Sequence, residues 1–211
     1  MIKSEVLSDR ELRIFSHQIG LHSIGIEGQE KIKKTKVIVA GAGGKGSFVI
    51  QNLAFAGIGH LGISDNRIIE ETTLSKQCLY GENDLGKQRA IVCKHKLLEK
   101  NNNIKIEVHN ILLNENNIIP IISGYDIIVD ATDNADTHQL IAKISQQYRK
   151  PVVLGSTKSS FIHITVLNYK GNFSIDTINN TNFKIIIDDS ISELGIPEII
   201  VNNLAGCLMA N

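Results

Sequence analysis

Residues 37–47 read Val-Ile-Val-Ala-Gly-Ala-Gly-Gly-Lys-Gly-Ser, an apolar run that passes straight into a glycine-rich turn. Without Cβ atoms at Gly41, Gly43, Gly44 and Gly46, backbone N–H groups can close on an anion while the chain reverses into a helix. A second apolar run, 60–64, ends at Asp65, where a parallel-sheet nucleotide fold holds a ribose. A third, Ile127-Ile128-Val129-Asp130-Ala131-Thr132-Asp133-Asn134, ends a buried strand with two carboxylates. Glycine loop, acid and acid-tipped strand, in that order and each at a strand's C-terminal end, predict an α/β chain with a mononucleotide site.

The surrounding pattern predicts a Rossmann-like, doubly wound and mainly parallel sheet with antiparallel strands appended. Residues 1–34 read as an N-terminal helical arm, two short helices joined by Gly25-Ile26-Glu27-Gly28, and 35–211 as one nucleotide-binding domain forming a single globular unit with it. The first strand falls at about 36–40, its helix at about 45–56, the second strand at 60–64. A helix at 86–100 presents Ile91, Leu97 and Leu98 inward, 104–108 alternates like a strand, and 111–122 reads as a short helix. After strand 126–131, helix 136–148 and strand 151–155, short strands at 161–168, 172–175 and 184–187 precede an apolar helix at 197–210. Ile162, Ile164, Val166, Ile185 and Ile187 are the expected inward residues of that appended region.

Charge narrows the partners. Twenty-two basic residues balance 22 acidic ones with no Lys/Arg block, so no nucleic-acid footprint is expected. No apolar run reaches the ~18 residues a membrane span needs, so no membrane partner is expected. Three scattered cysteines, Cys78, Cys93 and Cys207, suit a reducing cytoplasm and cannot build a tetrathiolate zinc site. Cys93 and Cys207 read as buried structural thiols; Cys78 alone lies in a polar loop near the expected nucleotide. Lys45 lacks the Ser/Thr that follows a phosphate-loop lysine and reads equally well as a solvated helix-start residue. Asp130 reads either as part of the site or as a cap for the segment that follows it.

In its motifs the chain resembles the ThiF/MoeB/HesA adenylating enzymes, which activate ubiquitin-like sulfur carriers and are related to the ubiquitin-activating enzymes. The resemblance rests on His17-Gln18-Ile19, Gly41–Gly46, Asp65-Asn66-Arg67-Ile68-Ile69, Thr72-Thr73-Leu74-Ser75-Lys76-Gln77, Gly86-Lys87-Gln88-Arg89 and Ala131-Thr132-Asp133-Asn134. It runs from about residue 14 to 210 with its spacing kept. It implies that Asp65 holds the ATP ribose and that the glycine loop lies against the phosphates. It further implies that Lys76 and Arg89 contact phosphate, that Asp133 binds Mg2+, and that Arg67, Thr73, Gln77 and Asn134 complete the cofactor site. His17 stands where the family places an arginine that reaches into a partner subunit, so the resemblance implies a homodimer with shared sites. Arg67 replaces an acid, Thr73 an asparagine, Lys76 an arginine and Arg89 a lysine. Ser174 and Thr177 occupy the first cysteine pair of the zinc-bearing members, so no zinc is expected.

The function that follows is ATP-dependent adenylation of a C-terminal carboxylate. Its owner would be a small ubiquitin-like carrier ending in Gly-Gly, or a peptide. Two alternatives remain open on residues alone. One is a degenerate member that binds nucleotide or a partner without catalysis. The other is an NAD-dependent oxidoreductase, since the glycine loop with Asp65 would serve that cofactor too, although no hydride-transfer constellation is visible.

Overall fold

The computed structural model describes residues 4–158, 161–169, 183–186 and 198–210. Seven strands form one sheet in the order β3-β2-β1-β4-β5-β6-β7. They are β1 Lys36–Ala40, β2 His60–Ser64, β3 Lys105–His109, β4 Ile127–Asp130, β5 Val152–Lys158, β6 Phe161–Leu167 and β7 Phe183–Ile186. β1 to β5 run parallel; β6 returns antiparallel to β5, and β7 antiparallel to β6. The expected parallel sheet with antiparallel strands appended is therefore the observed one. The expected strand at 172–175, and Ser174 and Thr177 with it, lie outside the described residues.

Alternation along β1 shows why both faces must be covered. Val37 and Val39 pack on one side among residues of α4 (Gly44–Ala56) and α6 (Arg89–Lys100). Ile38 and Ala40 pack on the other, among residues of α7 (Ile118–Ile122) and α8 (Ala135–Tyr148). Burying both sides is what parallel strands with helical crossovers require, and it explains their near-continuous apolar sequences. A C-terminal helix, α9 (Glu198–Ala210), packs on α4 and the β5–β6 end of the sheet. At Gly206 it approaches α4 so closely that a Cβ would lie 2.5 Å from Phe48 Cβ.

Several local expectations change. The arm holds α1 (Asp9–Ile14), α2 (Ser16–Ile19) and α3 (Gly25–Lys34), so Gly25–Gly28 opens the third helix instead of joining two. Only 118–122 of the expected 111–122 helix is helical. Asn114 and Asn117 explain the loss: Asn117 Oδ1 accepts from the Asn114 N–H, and Asn114 Oδ1 from the Asn116 N–H. Such side-chain turns compete with the helix for the backbone. Leu97 is buried as expected, but Ile91 is exposed, and α6 turns Ala90 and Cys93 inward in its place. Cys93 is buried as expected, but Cys207 is exposed, because α9 is apolar on two faces and the described residues cover only one. Val166 is exposed as well, lying outside the cluster that Ile162 and Ile164 form with α9 residues Val201 and Ala205.

Candidate nucleotide-binding site

The strand order reverses at β1, which lies between β2 and β4. Chains leaving β1 and β4 diverge there and open a crevice at the C-terminal edge of the sheet. The glycine loop sits in it. A Cβ at Gly46 would lie 1.9 Å from the Gly41 carbonyl oxygen, so the helix can start this tightly only without a side chain at 46. Gly41 itself has φ +92°, a left-handed conformation that glycine adopts without strain.

Asp65 is buried at the base of the crevice. Its Oδ2 accepts from the Ala42 N–H at 2.8 Å and its Oδ1 from the Arg67 N–H at 2.8 Å. One carboxylate thus ties the glycine loop to the chain leaving β2. Above it opens a cavity of about 300 Å³, lined by Gly41, Asp65, Asn66, Arg67, Leu112, Leu113, Asp133 and Asn134, among others. Its Ile111–Leu113 wall is the segment that failed to become helix. A helix over 111–122 would have turned this run away from the crevice; as a non-helical wall it borders the cavity.

A second, more polar cavity of about 210 Å³ lies over the loop, bounded by Gly43, Gly44, Lys45, Arg67, Thr73, Lys76, Arg89 and Asp133 and by Glu70, Glu198 and Asn202. Arg67 and Asp133 line both spaces. Arg89, at the start of α6, is buried. Its Nε donates to the Ile68 carbonyl and its Nη2 to Thr73 Oγ1, both at 2.9 Å. Burial, with Arg67 beside it, lowers the guanidinium's affinity for its proton, while Asp65 opposes that change. A guanidinium starts so high that it keeps its charge. Lys76 Nζ lies 3.2 Å from Glu198 Oε2. The cavity therefore gathers four cations (Lys45, Arg67, Lys76, Arg89) against three carboxylates (Glu70, Asp133, Glu198), a surplus of one positive charge.

Not every expected site residue reaches these spaces. Gln77 lines neither: its Oε1 accepts from the Leu79 and Tyr80 N–H groups, and its Nε2 donates to the Thr73 and Tyr80 carbonyls. It braces the loop that carries Lys76. Gly46 serves the turn and lines neither cavity. Asn134 borders the first cavity but spends its side-chain oxygen capping α8, accepting from the Thr137 N–H at 2.9 Å. Asp130 is fully buried, bonded to Thr132 and, at 2.7 Å, to His138 Nδ1, while the cap of α8 is Asn134. His17 is exposed on α2 and lines neither space. Cys93 is shut in and burial pushes its thiol up, so it carries no thiolate; Cys78 is exposed and borders neither cavity.

Lys45 departs furthest from expectation. The solvated helix-start reading fails: the side chain is 2 % exposed, and Nζ pairs with Asp133 Oδ1 and donates to the Thr132 carbonyl at 3.3 Å. Glu198 and Asn202 were also missed. They come from α9, far along the sequence, and nothing local marks them.

The geometry agrees with the comparisons. A model of the ThiF family matches residues 15–189. The adenylyltransferase and sulfurtransferase MOCS3 of Anopheles gambiae is 39% identical over 165 residues, 78% of this chain and 37% of that protein. A probable molybdopterin-synthase adenylyltransferase of Porphyra purpurea is 34% identical over 195 residues, 92% of this chain and 51% of that protein. The chain thus spans about half or less of the length of these curated relatives. Among solved structures, E. coli MccB with ATP superposes with a TM-score of 0.76 at 27% identity, over 99% of this chain and 64% of that one. PaaA, at TM-score 0.79 and 21% identity over 99% of this chain and 66% of that one, shares the fold. With the family model spanning both the glycine loop and the strand ends that frame the crevice, this chain belongs to the ThiF family.

Proposed function

We propose that the chain adenylates the C-terminal carboxylate of a small ubiquitin-like carrier or of a peptide, using ATP and releasing pyrophosphate. One observation carries this reading. A nucleoside-sized cavity ending on Asp65 adjoins a cation-rich cavity over a glycine loop, and the two share Arg67 and Asp133. In that arrangement the ribose lies by Asp65 and the phosphates over Gly43 and Gly44, within reach of Arg67, Lys76 and Arg89. The substrate carboxylate attacks the α-phosphorus, the bond to pyrophosphate breaks, and the cations offset charge on the departing group. Catalysis then comes from positioning and preorganised charge. Family membership favours ATP over a nicotinamide dinucleotide here.

Magnesium fits in part. Asp133 offers one carboxylate, 71 % exposed, and this cation is commonly held by one or two carboxylates with the nucleotide's own oxygens. The cation would supply charge neutralisation at the phosphates. His17, exposed on α2 and lining neither cavity, is available for a shared site, in which it would serve a second copy's crevice. Cytoplasmic residence and the absence of zinc belong to the same reading; among the described residues no helix is long and apolar enough to cross a membrane.

A second reading, a member that binds nucleotide without catalysis, is favoured by the Lys45–Asp133 pair, which occupies a carboxylate oxygen the metal would use. ATP–pyrophosphate exchange decides between them. Exchange stimulated by a diglycine-ended carrier, or by a short peptide, is the expected result and identifies the acceptor. ATP binding with no exchange in the presence of either acceptor overturns the catalytic reading.

A further inference from the structure

Lys45 occupies a position that local chemistry opposes. It is the second residue of α4, whose N-terminal end carries partial positive charge that disfavours a cation. Its ammonium is also withdrawn from water, which is tolerable only with good partners. Those partners are Asp133 Oδ1 and the Thr132 carbonyl. Asp133 is the carboxylate at which the two cavities meet, so the ion pair stands inside the candidate site.

Two consequences follow from simple competition. A divalent cation at Asp133 competes with Lys45 for one carboxylate charge: on Oδ2 it stands beside the ammonium held on Oδ1, and if it draws the carboxylate away it leaves the buried ammonium with a carbonyl alone, which is costly. Without metal, the pair presents a neutralised carboxylate toward the phosphates, where a bare one would repel them.

We propose that Lys45 is a positioning residue that makes nucleotide binding by this chain largely independent of divalent metal: it holds Asp133 and takes the place of the charge a metal would supply there. The inference rests on the reading of the crevice as a nucleotide site, and the test separates the two. ATP is titrated calorimetrically into the wild-type chain in EDTA and in excess MgCl2, and the same is done with Lys45→Met, which keeps the length of the side chain and removes its charge. Mn2+ retained by each ATP complex is counted by electron paramagnetic resonance.

The expected wild-type ATP affinity changes by less than about threefold between EDTA and Mg2+, equivalent to less than about 0.7 kcal/mol. Lys45→Met should bind ATP at least ~tenfold more weakly in EDTA, recover in Mg2+, and hold Mn2+ at least ~tenfold more tightly, each factor of ten being about 1.4 kcal/mol. A general packing defect would weaken binding under both conditions and would not tighten Mn2+. Wild-type binding that appears only with Mg2+ overturns the inference even if the variant fails to fold. An unchanged metal response in Lys45→Met overturns it too. No ATP binding by the wild type under either condition overturns the nucleotide-site reading itself.

Discussion

Asp65 performs two tasks with one carboxylate. Lining the first cavity, it would hold the ribose in the proposed function; facing inward, it accepts from the Ala42 and Arg67 N–H groups. Replacing it by Ala should therefore do more than weaken ATP. The buried Ala42 N–H and the partly buried Arg67 N–H lose their acceptor, at about 1–3 kcal/mol for a buried group left unsatisfied. At about 2–4 °C per kcal/mol for a chain of this size, the melting temperature of Asp65→Ala should fall by roughly 4–8 °C for a loss of about 2 kcal/mol. ATP affinity should fall further than pyrophosphate affinity, because in the proposed binding mode only the nucleoside reaches Asp65. Differential scanning calorimetry with parallel titrations of both ligands checks this; unchanged melting, or equal weakening of both, removes one of the two tasks. The acid was legible in sequence from its place at a strand end. Its grip on the glycine loop was not, because that depends on how close β1 and β2 run.

At the scale of elements, the strand–turn–helix unit has little tolerance. Gly46→Ala forces a methyl against the Gly41 carbonyl, 1.9 Å from an ideal Cβ, and should cost on the order of 3 kcal/mol or prevent folding. Gly81→Ala is the control: a Cβ there meets nothing within 4 Å, so thermal melting should change little. Equal effects in the two variants would refute the packing account. The arm and the 82–96 region add an acid-sensitive component. Burial resists the charge on Glu11 and Asp84, yet Lys33 with Ser8, and Lys96 with the Gly81 N–H, more than offset it and lower both acids from their ordinary values of 4.5 and 3.8. Depressed folded-state values mean that this stability is fully present above the ordinary values and is lost as pH falls through the lowered ones. Melting temperature should therefore drop from about pH 5 to about pH 3, and less steeply in Lys33→Met, which removes the partner of Glu11. A wild-type slope unchanged in Lys33→Met would show that Glu11 contributes nothing.

At the scale of the molecule, two groups of exposed apolar side chains among the described residues stand out. Ile14 and Leu21 are exposed on and beside the arm helices, and Ile200, Leu204 and Leu208 form an exposed stripe on α9. Ile14 and Leu21 flank His17, and this arm patch is proposed to meet a second copy in the shared-site arrangement. Light scattering at micromolar concentration should give about twice 23.2 kDa, and Leu21→Glu should shift the population toward a single chain. A wild-type species at 23.2 kDa would remove the shared-site proposal for His17 while leaving the chain's own crevice untouched.

The sequence by itself determined the strand–glycine turn–helix, the parallel sheet with antiparallel strands appended, and the acids at strand ends. These depend on short-range requirements: alternating or continuous apolar runs, the sterics of a missing Cβ, and the Asp65 and Asp133 positions within a few residues of a turn. Only tertiary structure decided which charges meet. Lys45 is buried because Asp133 reaches back from β4 across 88 residues of chain. Glu198 and Asn202 line the cation-rich cavity because α9 folds onto α4, and Gln77 is consumed by its own loop. Desolvation and ion pairing depend on what lies across the crevice, and that is set by long-range packing which no local pattern encodes.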